Sequence, residues 1–336
     1  MSRHAIACNS GTTAVELGLR ALNASPTTTV IAPALAPVMT ALPVLQVGST
    51  IVLYDCCSDS VYPDMEYLAR IDAPPGSILV TVAWWGYLCP DGRVLRTLCD
   101  RRGWRWLDDS AQAHGASYAA SSDAQGPDIR CFSTHDRKLV TTGEGGFLLT
   151  HDEEWARKAR SYASYGGYPS SADDLMLGSE TGANLRLSAL AAAMGIVSLR
   201  SLPDVIARRQ RASATISAHH GELKRLIRHP TVPGALHNFY GITFTLPDSL
   251  GRHFGARYLD ERGIQNDVVD YDLRPLYEYP VFRQAQVHRS ENAQRLARSL
   301  VMISPHHGLS EDACAFIGQT LRSLEEEADA KLSGIA

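Results

Sequence analysis

The sequence predicts an α/β domain built on a mostly parallel sheet covered by helices on both faces, with a smaller α+β unit after it. Two observations carry this. Short runs rich in Val, Ile and Leu alternate with helical stretches through the first two hundred residues, joined by short connections, as buried parallel strands with crossover helices require. Beyond Pro203 that alternation gives way to long amphipathic helices with few strands among them.

In chain order, strands are expected at 4–8, 29–32, 51–54, 78–83, 104–108, 129–132 and 146–150. Helices fall at 13–22 and 93–102, the second preceded by a Pro90-Asp91-Gly92 turn. The uncharged run 30–47 is apolar enough to pass for a membrane span of about 18 residues. Pro33, Pro37 and Pro43 interrupt it, and a buried strand followed by a short core-facing helix accounts for the same stretch. An Ala- and Leu-rich helix is expected at 188–201, and after the Pro203 break an Arg-rich amphipathic helix at 204–226. The boundary falls there, giving a large domain at 1–205 and a small one at 206–336. The latter reads as a strand at 239–246, a helix at 251–262, an extended stretch at 268–271, and helices at 291–300 and 311–331. The triplet Glu325-Glu326-Glu327 reads as a solvated helix face.

A net charge of −4 and a pI near 6.3 give no footprint for nucleic acid or an anionic membrane. A metabolite-sized partner is expected instead. The seven cysteines are odd in number and lack metal-ligand spacing, so neither a disulfide framework nor a zinc site is expected, and the cytoplasm is the expected location. The N-terminus lacks a signal-peptide pattern. His219-His220 and His306-His307 are adjacent pairs, which do not converge on one ion from a regular helix or strand; no metal is expected.

Three segments carry chemistry. Asn9-Ser10-Gly11-Thr12-Thr13 lies between a strand and a helix, where free N–H groups and the helix dipole attract an anion; an ordinary helix cap is the alternative. Trp106 to Gly115 places Asp108 and Asp109 at the carboxyl end of a buried strand, where open α/β sheets put ligand-binding groups. One of these acids would pair with a cationic ring nitrogen, and Gln112 with another polar edge of the same ring. Lys138 is one of only four lysines and sits between a sheet terminus and a glycine-rich turn at 141–146. Burial there would lower its pKa from about 10.4 towards a nucleophilic amine. Jointly the three supply a phosphate cradle, an acid for a pyridine nitrogen and an amine for a Schiff base, the set a pyridoxal phosphate enzyme needs.

The chain resembles the DegT/DnrJ/EryC1/StrS family of sugar aminotransferases, within the fold type I, aspartate aminotransferase-like pyridoxal phosphate enzymes. The matching segments are 9–14, 107–116, 132–146, 182–188 with 191–195, and 304–309, nearly end to end. The resemblance implies a mixed, mostly parallel seven-stranded sheet. It implies that Lys138 forms the Schiff base and carries the substrate proton, and that Asp109 holds the pyridine nitrogen protonated. Gln112 would contact the ring hydroxyl, Ala111 would pack beneath the ring, and Gly11, Thr12 and Ser133 would hold the phosphate. Asn184 resembles an asparagine that reaches the partner subunit's phosphate, which implies a homodimer with shared active sites.

Three departures bear on the site. Relatives usually have about thirty further residues before the Ser-Gly-Thr motif, and Pro37 stands where many present a ring to the cofactor. Losing one stacked aromatic costs about 0.5–1.5 kcal/mol, which a covalent bond and a bound phosphate survive. Trp84, Trp85 and Tyr87 are candidates to line the substrate pocket. Tyr277 stands where many relatives carry a histidine. The expected reaction moves an amino group from L-glutamate or L-glutamine to a keto sugar, cyclitol or related ketone, in amino-sugar or secondary-metabolite biosynthesis. A lyase or condensing enzyme on the same fold, and an accessory subunit with reduced chemistry, are the alternatives.

Overall fold

The computed structural model describes residues 2–90, 92–117, 126–167, 177–287 and 290–334. Asp91 of the expected turn lies outside them. In chain order the elements are β1 (His4–Cys8), α1 (Gly11–Ala21), β2 (Thr29–Pro33), α2 (Val38–Gln46), β3 (Thr50–Tyr54), α3 (Met65–Arg70), β4 (Ile78–Val82), α4 (Gly92–Arg102), β5 (Arg105–Asp109), β6 (Ile129–Ser133), β7 (Gly146–Thr150), α5 (Glu153–Ala163) and α6 (Ala189–His220). They continue with β8 (Ile227–Arg228), β9 (Ile242–Thr245), α7 (Phe254–Asp260), α8 (Asp267–Asp270), β10 (Gln286–Val287), α9 (Glu291–Ser299), β11 (Leu300–Ile303) and α10 (Glu311–Leu332).

The large sheet has the order β1-β7-β6-β5-β4-β2-β3-β10. β7 runs antiparallel to both β1 and β6, and the other pairs are parallel. β2, β3 and β4 are buried along nearly their whole length, as strands covered on both faces must be. The seven expected strands are all present. An eighth, β10, adds two residues beside β3, too short to leave a period in the sequence. A three-stranded antiparallel sheet, β11-β9-β8, packs with α7, α10 and the C-terminal half of α6 around a second core that includes Phe244, Leu259, Val301 and Leu321.

Several expectations for the second half of the chain need correction. Residues 188–201 and 204–226 are not two helices: α6 runs without interruption through Pro203 and stops at Gly221, whose φ is 70°. Pro203 lacks the N–H that would bond the Leu199 carbonyl, but Leu199 is exposed, so water can serve that group. The stretch 268–271 is not extended. Asn266 caps it, its Oδ1 accepting from the Val269 N–H at 3.2 Å, and the turn closes as α8. Residues 300–303 form a strand directly after α9, because Leu300 to Ile303 are all buried and pair with β9. α3 and α5 were not anticipated; each starts at a side-chain cap, Asp64 and Asp152 respectively.

Among the described residues one helix, α6, is long and apolar enough to cross a membrane, by length and composition only. Its first half presents Leu190, Met194 and Val197 to the outside, 82%, 53% and 64% exposed. The carboxyl ends of β4, β5 and β6 and the start of α1 meet at one side of the large sheet, where open α/β sheets bind ligands.

Candidate active site

A cavity of about 440 Å³ opens at that edge. Its walls include Gly11, Thr12, Trp84, Trp85, Asp109, Ala111, Gln112, Ser133 and Lys138, gathered from segments more than a hundred residues apart. At its α1 end, Ser10 caps the helix, its Oγ accepting from the Thr13 N–H at 3.0 Å. The first turn of α1 carries no acidic side chain, so its remaining N–H groups and the dipole are available to an anion. A Cβ on Gly11 would stand 2.5 Å from the Ser133 Cβ. That close approach is what brings the Ser133 hydroxyl beside the helix start, and only glycine permits it.

Asp108 and Asp109 have separate fates. Strand alternation turns their side chains to opposite faces of β5. The Asp108 carboxyl is held by the Thr81 hydroxyl at 2.5 Å and by Ser110. The Asp109 carboxyl faces the cavity, accepting from the Thr40 hydroxyl at 2.5 Å and from the Ala111 N–H at 3.0 Å. Burial pushes the Asp109 pKa up, while the Thr40 and Ala111 bonds and the charge of Lys138 hold it down. Such a carboxylate is suited to a cationic N–H.

Gln112 is oriented by its neighbours. The backbone N–H of Trp85 can only donate, and it meets Oε1 at 2.6 Å; this fixes the amide so that its NH2 is left to donate elsewhere. Trp85 adopts φ 52°, ψ 20°, a left-handed conformation that is strained for a large side chain. The Gln112 bond, a bond from the Gly241 N–H to the Trp85 carbonyl at 3.2 Å, and stacking on Trp84 with centroids 4.2 Å apart hold it there.

Lys138 lies in the connection from β6 to β7. The Thr134 N–H donates to the Gly145 carbonyl and the Thr142 N–H to the Thr134 carbonyl, both at 2.8 Å, which closes the base of that loop. Burial lowers the Lys138 pKa; Asp109 and Asp267 work against it. The amine stands 5.2 Å from the centre of the Tyr240 ring. His114, buried behind it, is pushed down to about 3 by burial and by the lysine charge.

Three singled-out residues lie away from this cavity. Tyr87 is buried behind it, its hydroxyl accepting from the Thr243 N–H at 3.2 Å. Tyr277 packs against the core of the large sheet with its hydroxyl bonded to Ser290, and Tyr271 and Tyr279 line the cavity instead. Asn184 is exposed, in an isolated antiparallel bridge with Ser164. Pro37 does line the cavity. Thr40, Asp267 and Tyr240 were missed: a threonine in an apolar helix, an aspartate in a polar loop and a tyrosine beside a strand give no local signal. Among the described residues no group of three His, Cys, Asp or Glu is placed to hold a metal ion.

The sequence profile of the DegT/DnrJ/EryC1/StrS aminotransferase family matches residues 1–322. The chain is 28% identical over 330 residues to GDP-perosamine synthase of Caulobacter vibrioides, spanning 96% of this chain and 85% of that one. It is 30% identical over 325 residues to UDP-N-acetyl-3-dehydro-alpha-D-glucosamine 3-aminotransferase of Acidithiobacillus ferrooxidans, spanning 95% and 84%. Among solved structures, S. venezuelae DesV in complex with a ketimine intermediate matches with a TM-score of 0.83 at 25% identity, covering 97% of this chain and 85% of that one. DesI in the presence of its TDP-sugar product matches in fold, with a TM-score of 0.86 at 24% identity and coverage of 100% and 84%. These relatives are sugar aminotransferases, and the aminotransferases of this family are pyridoxal phosphate enzymes. The chain belongs to the DegT/DnrJ/EryC1/StrS aminotransferase family.

Proposed function

We propose that this chain binds pyridoxal 5'-phosphate and transfers an amino group from L-glutamate or L-glutamine to the ketone of a keto sugar, cyclitol or related acceptor. The observation that carries the reading is the convergence of Lys138, Asp109, Gln112 and the Gly11–Ser133 cradle on one cavity. The donor set fits the cofactor: an anion site at a helix start, a buried carboxylate, a free amide donor and a buried amine. The sugar class of the acceptor is supported by the activities of the relatives.

When bound, the cofactor supplies an aldehyde carbon and a ring able to take up an electron pair. The chain does the rest. The N–H groups at Gly11 and Thr12 and the Ser133 hydroxyl would hold the phosphate. Asp109 would keep a proton on the ring nitrogen, its own charge secured by Thr40 and Ala111. Gln112 would donate to the ring hydroxyl, and Ala111 and Pro37 would offer small apolar surfaces to the ring. Lys138 would hold the aldehyde carbon through Nζ, and its free amine is placed to take a proton from the substrate carbon and return it.

A homodimer completes this reading. Leu190, Met194 and Val197 form one stripe on α6 at i, i+4 and i+7, and a second copy of the chain would cover it. The exposed Asn184 would then serve the partner's phosphate. We divide the chain at 205/206, with α6 shared by both parts. The buried cysteines Cys8, Cys56, Cys99, Cys131 and Cys314, none of them bridged, suit a reducing cytoplasm.

Adding L-glutamate or L-glutamine to the cofactor-loaded protein tests the reaction. The visible band should disappear and one equivalent of the 2-oxo acid should form. A band unchanged by every amino donor would contradict it.

A further inference from the structure

Lys138 is faced by a second carboxylate that the proposed reaction leaves idle. Asp109 ends β5, whereas Asp267 opens α8 far along the chain, and both border the cavity that holds the lysine. The position of Asp267 is set by Asn266, which is 1% exposed: its Nδ2 donates to the Ala256 carbonyl at 2.9 Å and its Oδ1 caps α8. Tyr240 is equally fixed. Arg209 of α6, 3% exposed, donates through Nη1 to the carbonyls of Phe239 at 2.9 Å and Tyr240 at 3.1 Å, and Phe239 is held at φ 53°. The Tyr240 ring is thereby set 5.2 Å from the lysine nitrogen, within the range of attraction between an ammonium and an aromatic face.

We propose that Asp267 is a positioning residue for Lys138 and that, with the Tyr240 ring, it retains the lysine inside the cavity as an ammonium from the moment its displaced amine has taken up the substrate proton until that proton is returned. This rests on the reading of Lys138 as the cofactor-bonding lysine. A displaced lysine carries four flexible methylenes and a strongly hydrated charge. Without an anchor it would spend its time towards solvent, and the proton it must return would arrive late.

Among the described residues the charged and titratable groups around Lys138 include Asp109 from β5, Arg137 beside it in the chain, His114 beyond β5, Tyr240 ahead of β9 and Asp267 from α8, with His135, Glu144, Tyr271 and Tyr279 on the same cavity walls. The two carboxylates favour the ammonium; burial and Arg137 oppose it. Burial pushes the Asp267 pKa up, and Lys138, the Trp85 indole and Arg137 pull it back. Asp270, the like charge nearby, is engaged by Arg137 at 3.7 Å.

The test uses cofactor-free full-length protein, whose four lysines are labelled by reductive ¹³C-methylation and titrated by NMR, with Lys138→Arg assigning the signal. Asp267→Asn should lower the apparent pKa at Lys138 by about one unit, the usual effect of losing one nearby opposite charge, and Asp267→Glu should restore it. The other three lysines should not move. A Lys138 titration unchanged in Asp267→Asn overturns the proposal, as does a shift shared by all four lysines. Borohydride labelling of the wild type is read separately. A label on Lys138 with no titration shift sinks this inference alone, and a label on another residue sinks the functional reading beneath it as well.

Discussion

Thr40 donates its hydroxyl to Asp109 Oδ2 at 2.5 Å, bridging residues 69 apart in the chain. The bond favours the ionised carboxyl against the burial that opposes it. A hydrogen bond to a charged group contributes about 1.5–3 kcal/mol, so Thr40→Val should raise the Asp109 pKa by at least about one unit. The acid limb of the activity profile should move to higher pH, and Thr40→Ser should move it back. A limb that stays in place in Thr40→Val would show that Asp109 does not depend on this bond.

Gly11→Ala tests the cradle. Its Cβ would stand 2.5 Å from the Ser133 Cβ and 2.9 Å from its Oγ, so α1 and β6 must part where the phosphate is held. Overpacking of this kind costs about 1–3 kcal/mol, or roughly five- to 150-fold in affinity. Fluorescence titration with pyridoxal phosphate should show that loss, while Gly76→Ala, strained at a left-handed φ of 85° but ahead of β4 and outside the cavity walls, should leave the affinity much closer to wild type.

His114 should leave a signature in acid. Its pKa falls from 6.5 in the unfolded chain to about 3 in the fold. Between those values the unfolded chain binds a proton that the folded chain refuses, so the contribution of His114 is complete above 6.5 and is lost as pH falls towards 3. The slope is about 1.4 kcal/mol per pH unit. Urea unfolding of wild type and His114→Phe at pH 6.5 and 5.5 should show wild type losing more stability by about 1 kcal/mol, since the unfolded imidazole is half protonated at the upper pH. Parallel losses would mean that the imidazole is protonated in the fold.

The stripe on α6 predicts assembly. Replacing Leu190 and Val197 by Asp puts two charges on a face that the proposed dimer buries, and sedimentation velocity should show a dimer becoming a monomer. The monomer should also retain the cofactor less well, because Asn184 would have no partner site to complete. A monomeric wild type would contradict the assignment.

The legible part of this protein is its local part. β2, β3 and β4 are mostly apolar runs buried on both faces, and β1, β5, β6 and β7 mix buried apolar residues with polar ones at their ends or on alternate faces, patterns that announce themselves. Gly11, Asp109, Gln112, Ser133 and Lys138 sit at strand or helix ends, where sequence position alone implies access to a ligand. The structure brings them to one cavity. What escaped depends on distant contacts. β10 exists because β3 offers it an edge, α8 because Asn266 caps it, and the continuity of α6 because Leu199 faces outward. Tyr87 and Tyr277 were chosen by aromatic density and by position, and neither criterion distinguishes a residue in the cavity wall from one packed behind it. Thr40, Tyr240 and Asp267 matter only through Asp109 and Lys138, which no window of sequence contains together with them.

The most direct measurement is reduction of the cofactor-loaded protein with sodium borohydride, followed by peptide mapping. The pyridoxyl label should be found on Lys138 and should vanish in Lys138→Arg, with Lys158, Lys224 and Lys331 unmarked. A label on any of those three, or a protein that takes up no label after loading, would contradict the account.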